Sequence, residues 1–448
     1  MDRKNANLSI DAALATLRER YADKNLQSRL ANEQAQAFLP GGNTRSVLHF
    51  DPFPLTMQRG EGAEVWDVDN HHYFDFVGEF SAGLYGHSDP IIKSAILDGL
   101  DTGVVLAAPT RVEGLLASTI AQRFPSMERL RFCNSGTEAN ILALVTAIDV
   151  TRRRKILVYR EAYHGGVLVF SGARSRINVP FDFVYADYND VQGSLAIISE
   201  HVDDLAAVIV EPILGAAGNI PGTPEFLRAL RQETERVGAL LIFDEIKTSR
   251  CGPGGIQGEV GIKPDITTLG KYIGGGLPSG AFGGRKEIMD RYDPRVPNSL
   301  RHAGTFNNNI CSMMAGHAGL TRVFTAEKAR QFLATNEIYR RSLNEELSRK
   351  QIPMQFTGLG SMFTVHFTQR AIASPLDVPA VSRRIAQIFH LECLLNGVLF
   401  ASRGDVFISL PTSESQYDAL RNTIRSFVDN YEPMLRRELG ATRVLNPA

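Results

Sequence analysis

Lys271 stands in a glycine-rich stretch, Thr267-Thr268-Leu269-Gly270-Lys271-Tyr272-Ile273-Gly274-Gly275-Gly276, downstream of the acidic pair Asp244-Glu245. A lysine that attacks a carbonyl needs a lowered pKa, which burial and a neighbouring cation supply. Glycines let backbone and ligand approach closely. Alone, a Gly-Lys pair is more often a surface lysine in a turn. Here the apolar run at 239–243 reads as a buried parallel strand with the two carboxylates at its C-terminal end. Ligands of open α/β sheets bind beyond such strand ends. The combination predicts a Schiff-base lysine serving an electron-sink cofactor.

A second chemistry-bearing run, Asn134-Ser135-Gly136-Thr137-Glu138, leads from a strand into an apolar helix. The free N–H groups of that helix's first turn, with the Ser135 and Thr137 hydroxyls, make a phosphate cradle. The plainer alternative is a Ser/Thr cap with Glu138 in the first turn. A Walker loop is excluded, because Lys271 is followed by Tyr272 rather than Ser or Thr. No GxGxxG follows the first sheet strands, which argues against a dinucleotide. Strand alternation puts Asp244 and Ile246 on one face and Glu245 and Lys247 on the other. Asp244 could then keep a pyridine nitrogen protonated, since an opposite charge at ~4 Å is worth about 4 kcal/mol at an effective dielectric of 20. Ile246 would pack on the ring, and Lys247 would point away from it. Tyr163-His164-Gly165-Gly166 and Glu211-Pro212 also end strand-like runs. Tyr163 could cover the other face of a planar cofactor, whereas His164 alone is more often structural. Four strand ends thus deliver Ser135 and Thr137, Tyr163, Glu211 and Asp244 to one rim.

The elements that position these residues follow from patterning. Apolar positions at helical spacing predict a helix over about 9–38, then a turn cluster at 39–45, then antiparallel strands around 55–57 and 64–68 with 69–71 as the turn. From about 88 to 324, helical segments alternate with apolar strands at 129–133, 156–159, 206–210 and 239–243, so the fold class is α/β with a mostly parallel sheet. A long helix from about 329, a strand-like alternation at 358–366, a helix at 378–395 and another at 414–431 suggest a small α+β unit. The chain of 448 residues suffices for roughly two or three domains. The division expected is 1–87 as a helix and strands contributing to the small domain, 88–328 as the large cofactor-binding domain, and 329–448 as the small domain.

Lys plus Arg total 48 against 49 Asp plus Glu, so no basic footprint for nucleic acid or anionic membrane exists. The four cysteines form no CxxC pair, which argues against zinc or a disulfide scaffold, and no metal site is expected. No stretch approaches the ~20 apolar residues of a membrane span, and the N-terminal segment lacks an apolar signal core. A cytoplasmic protein is expected.

The motifs NSGTEAN (134–140), YHGG (163–166), EP (211–212), FDEIKTSR (243–250), TTLGKYIGGG (267–276), GAFGGR (280–285) and AGTFNNN (303–309) resemble class III, fold-type I, pyridoxal-phosphate aminotransferases, from about residue 39 onward. The resemblance implies a large domain with a seven-stranded sheet between helices and a small α+β domain. It implies Lys271 as Schiff-base lysine and proton shuttle, and Asp244 on the pyridinium nitrogen. Ser135, Gly136 and Thr137 would hold the phosphate, Tyr163 and Ile246 would sandwich the ring, and His164 and Glu211 would complete the cofactor site. Thr305 would reach the phosphate of the neighbouring subunit in an obligate dimer with shared sites.

Within the class, the chain is most similar to the branch holding glutamate-1-semialdehyde aminomutase and the β-amino acid aminotransferases. LPGGNTRSV around Arg45, GTFNNN and Ala401-Ser402-Arg403-Gly404 resemble the β-amino acid enzymes, where arginines at these two positions handle substrate carboxylates. Ala108-Pro109-Thr110 and GGGLPSGAFGGR resemble the aminomutase. Lys247 departs from the apolar residue of the pattern. The expected activity is transfer of an amino group from a β-amino acid, aromatic such as β-phenylalanine, to 2-oxoglutarate or pyruvate. The alternative is an aminomutase acting on an amino aldehyde. A non-catalytic fold relic is disfavoured by intact Lys271 and Asp244.

Overall fold

The structure, a computed structural model, describes residues 8–172 and 175–440. Its centre is a seven-stranded sheet in the spatial order Arg129–Cys133, Gly280–Gly284, Ile266–Gly270, Leu240–Asp244, Leu205–Val210, Lys155–Tyr159, Asp182–Ala186. Only Gly280–Gly284 runs antiparallel to its neighbours. Leu205–Val210 and Leu240–Asp244 are buried at every position, and strands apolar on both faces need cover on both. The helix Gly136–Thr151 packs over Ile266–Gly270 and Gly280–Gly284, and Pro224–Val237 over Leu240–Asp244. Parallel strands bring their C-terminal ends to one edge, so the turns after Cys133, Tyr159, Val210, Asp244 and Gly270 meet there.

Two smaller sheets flank this core. Gln355–Leu359, Met362–His366 and Asp405–Phe407 form one; Met57–Glu61, Glu64–Asp67, His72–Asp75 and Val398–Leu399 form the other. Late chain therefore pairs with early chain. Val398–Leu399 runs parallel to His72–Asp75, and the helix Ala380–Leu395 packs on Ile10–Lys24.

Local differences from the sequence expectation have specific causes. The 9–38 helix is two helices, Ile10–Lys24 and Leu26–Gln36, because Asn25 leaves the helical region (φ −119°, ψ 53°) and its Nδ2 donates to the Tyr21 carbonyl at 2.7 Å. The 69–71 turn does not join the first two strands. Glu61 and Glu64 close that hairpin, and 69–71 leads into a third strand, His72–Asp75. The 358–366 alternation is a hairpin turned at Gly360, φ +56°. The glycine-rich stretch divides: Ile266–Gly270 is a buried strand, and Lys271 opens the turn with φ 59°.

A left-handed run at Gly78–Ser81 has no sequence signature. Gly78, Glu79, Phe80 and Ser81 have φ of 49°, 49°, 51° and 79°, rare for three consecutive non-glycine residues. Surrounding bonds hold it. Asp75 Oδ1 accepts from the N–H groups of Val77 and Gly78 at 2.8 and 3.0 Å, and Arg250 donates to the Ser81 carbonyl at 3.3 Å. Among the described residues, no helix is long and apolar enough to cross a membrane.

Candidate active site

Asp244 ends its strand as a buried carboxylate, 4% exposed. Such a group needs partners. Its Oδ2 accepts from Asn140 Nδ2 at 2.8 Å and lies 2.7 Å from His164 Nδ1, while Oδ1 accepts from the Ile246 N–H at 3.1 Å. Asn140 also donates to the His164 carbonyl at 2.8 Å and accepts from the Thr268 hydroxyl at 2.7 Å. One helix, two post-strand segments and the strand Ile266–Gly270 are thereby locked around one carboxylate. Oδ1 keeps a lone pair for a further donor.

The Gly136–Thr151 helix presents its first turn beside this carboxylate. Ser135 Oγ caps it by accepting from the Glu138 N–H at 3.2 Å, and Glu138 Oε2 accepts from the Asn134 N–H at 2.8 Å. The early N–H groups at Gly136 and Thr137 lie beyond reach of intrahelical carbonyls and suit an anion. Thr137 Oγ1 accepts from the Gly166 N–H at 3.1 Å. Gly165, at φ +127°, could not carry a Cβ without striking Thr137, and a Cβ on Gly136 would stand 2.6 Å from Ile246 Cδ1. Glu211 spans the neighbouring turns: Oε1 accepts from the Tyr163 N–H and Oε2 from the Gly215 N–H, both at 3.0 Å. Burial pushes the Glu211 carboxyl above its ordinary range. The Tyr163 side is open, with the residue 45% exposed.

Lys271 Nζ donates to the Phe80 carbonyl at 2.9 Å. Burial, then the charges of Lys247, Arg403 and Arg45, lower its pKa to about 7 against the opposing pull of Asp244. A lysine in that state is half neutral near pH 7 and able to attack a carbonyl. The Phe80 ring is flanked by both candidate arginines, with Arg45 Cζ 5.6 Å and Arg403 Cζ 5.2 Å from its centroid. Arg45 pairs with Glu79 and Arg403 with Asp405.

The structure thus brings Ser135, Gly136, Thr137, Tyr163, His164, Glu211, Asp244, Ile246 and Lys271 to one rim, with Arg45 and Arg403 beside it. Thr305 does not join them; it is exposed on the segment where Asn307 Oδ1 accepts from Asn134 Nδ2 at 2.9 Å. Lys247 contradicts its expectation. The strand stops at Asp244 and Lys247 takes a helical conformation (φ −94°, ψ −43°), so alternation no longer governs it. Its amine turns to the site side, where a Cβ on Gly215 would stand 2.5 Å from Lys247 Nζ and 2.9 Å from Glu211 Oε2. Sequence reasoning assigned no role to Asn140, Phe80, Glu79 or Asp405. Asn140 had a usable signal as a lone amide entering an apolar helix; Phe80 and Asp405 had none.

Residues 48–427 match the family model Aminotransferase class-III. The β-phenylalanine transaminase of Variovorax paradoxus is 46% identical over 96% of this chain and 99% of that protein. A solved structure of β-phenylalanine aminotransferase from Variovorax paradoxus superposes with TM-score 0.93, covering 95% of this chain and 98% of that one. A glutamate-1-semialdehyde 2,1-aminomutase from Methanosarcina acetivorans is 34% identical over 90% of this chain and 98% of that protein. A transaminase solved with PLP bound is 30% identical, with TM-score 0.83 and coverage of 93% and 99%. Motifs, sheet order and a family match across most of the length agree, and the chain belongs to the class-III aminotransferases.

Proposed function

We propose that this aminotransferase, whose cofactor is pyridoxal 5'-phosphate, takes the amino group of a β-amino acid, aromatic such as β-phenylalanine, and hands it to 2-oxoglutarate or pyruvate. One observation carries the reading: Arg45 and Arg403 flank the ring of Phe80, whose carbonyl holds the Lys271 amine. Two planar cations beside the reactive amine suit a carboxylate donor followed by a differently shaped keto acid. The relationship to the Variovorax enzyme supports it.

The donor set fits the cofactor. The lysine with its lowered pKa suits an aldehyde, the Asp244 carboxylate a ring nitrogen, and the glycine-lined helix start a phosphate. In this reading Ser135, Gly136 and Thr137 hold the phosphate, Tyr163 and Ile246 cover the two ring faces, and Asp244 keeps a proton on the nitrogen. His164 and Glu211 orient that assembly through Asp244 and through the Tyr163 backbone. When bound, pyridoxal phosphate draws electrons from the carbon bearing the transferred amino group. Lys271 Nζ would take the proton from that carbon of the donor and, in the second half of the reaction, deliver one to the keto-acid carbon that receives the amino group. Arg45 orients a carboxylate one carbon further from the amine than in an α-amino acid, and Arg403 serves the keto acid.

The active unit in this reading is a homodimer, with Thr305 reaching the partner's phosphate site. Support comes from exposed apolar side chains: Leu97, Leu100, Val104, Val105 and Leu106, and Phe306 next to Thr305. Surface of that kind marks association sites.

The test offers holoenzyme β-phenylalanine, α-phenylalanine and glutamate 1-semialdehyde, each with and without 2-oxoglutarate. Glutamate should form from β-phenylalanine plus 2-oxoglutarate. Isomerisation of the amino aldehyde without acceptor, with no turnover of the β-amino acid, would favour the aminomutase instead.

A further inference from the structure

Lys247, whose charge helps to lower the Lys271 pKa, also sits in a second network. Its Nζ donates to Asn219 Oδ1 at 3.3 Å and lies 4.9 Å from the Phe407 ring centroid. Asn219 Nδ2 in turn donates to Asp405 Oδ1 at 3.3 Å and to Thr364 Oγ1 at 2.8 Å. Thr364 completes the chain by donating to Asp405 Oδ1 at 2.7 Å, and the other oxygen of Asp405 pairs with Arg403 Nε. Asp405, Asn219 and Thr364 are all buried. One buried carboxylate therefore answers to two cations, Arg403 directly and Lys247 through an amide.

This arrangement bears on Arg403. If Arg403 left Asp405 and no second cation were near, a negative charge would remain buried and uncompensated, which is strongly unfavourable. Lys247 removes that obstacle. Burial tends to raise the Asp405 pKa, yet Arg403 and Lys247 together hold it below its ordinary value. Burial lowers the Lys247 pKa against the attraction of Asp405.

We propose that Lys247 is a positioning residue for Arg403: it offsets the charge of Asp405 through Asn219, so that the Arg403 guanidinium can leave Asp405 and take a substrate carboxylate. The proposal rests on reading Arg403 as a carboxylate ligand.

The experiment measures binding of 3-phenylpropanoate and of glutarate to holoenzyme by calorimetry, which needs no turnover. Lys247→Met keeps the unbranched chain over Phe407 and removes the charge. It should weaken at least one acid about tenfold, the scale of one lost charge-assisted contact. Adding Asp405→Asn to that variant removes the charge that then retains Arg403, and should restore affinity to within about twofold of wild type. Unchanged affinity in Lys247→Met overturns the proposal. So does a loss that Asp405→Asn leaves in place, because Lys247 would then be touching the acid itself. Arg403→Ala separates the two layers. If it weakens the acids while Lys247→Met does not, only the role of Lys247 falls; if it has no effect, the reading of Arg403 falls and takes the proposal with it.

Discussion

Lys271 owes its low proton affinity to burial first and to three neighbouring cations second, with Asp244 the opposing charge. The sign follows directly. Only the neutral amine attacks an aldehyde, and below a pKa of about 7 the amine is protonated. Capture of pyridoxal phosphate by cofactor-free enzyme should therefore slow about tenfold for each pH unit below that value, as followed by stopped-flow absorbance. A midpoint near that of free lysine would contradict the site described. Asp244→Asn should retain cofactor but lose roughly three orders of magnitude in turnover, because a charge at ~4 Å is worth about 4 kcal/mol at an effective dielectric of 20; near-normal turnover would refute the assignment. Arg45→Ala should lower kcat/KM for β-amino acids about ten- to a hundredfold, through a lost contact of roughly 1.5 to 3 kcal/mol. Simple amines without a carboxylate serve as the control, and an equal loss on both would exclude a carboxylate role. At this scale the sequence was most readable where chemistry restricts residue type, as at Lys271 and Asp244. It was least readable at Lys247, whose direction depends on the strand stopping at Asp244.

At the scale of elements, the parallel strands were legible because continuous apolar runs such as 205–210 and 240–244 allow little else. Gly280–Gly284 was not, since three glycines in five residues carry no strand propensity. Only pairing with strands on both sides makes it one. The left-handed Gly78–Ser81 run was equally hidden, because it is held by a local turn around the Asp75 carboxylate together with a long-range bond from Arg250. Ser81 is its most expensive member: φ is 79°, and its buried hydroxyl has no partner among the described residues. Ser81→Gly relieves both costs and should raise stability by about 1 kcal/mol net of glycine's backbone entropy. Thermal melting of the cofactor-free form checks this, and a lowered melting temperature would show that the run is not strained. If the strain holds Phe80 in place for Lys271 and the arginines, the same variant should lose activity as it gains stability.

For the whole molecule, the α/β architecture was legible from alternation, and residues 1–87 were expected to contribute to the small domain, while the strand pairing that ties chain beginning to chain end was not foreseen. Val398–Leu399 is too short to announce itself as a strand, and its partner His72–Asp75 lies far away in sequence. Association is also a property at this scale. On the proposed dimer, Thr305→Ala should lower cofactor occupancy, and occupancy of the wild type should fall on dilution; a cofactor-saturated, active monomer would exclude the shared site. The pairing of early and late chain further orders events during synthesis. Residues from Ser135 to Lys271 come from the middle of the polypeptide, whereas the Phe80 ring is flanked by Arg45 from its beginning and Arg403 from near its end. A nascent chain emerges N-terminus first, so the whole cofactor cradle has left the ribosome before the second arginine exists. On the proposed roles, the residues that would hold the cofactor are made before the arginine that would serve the keto acid.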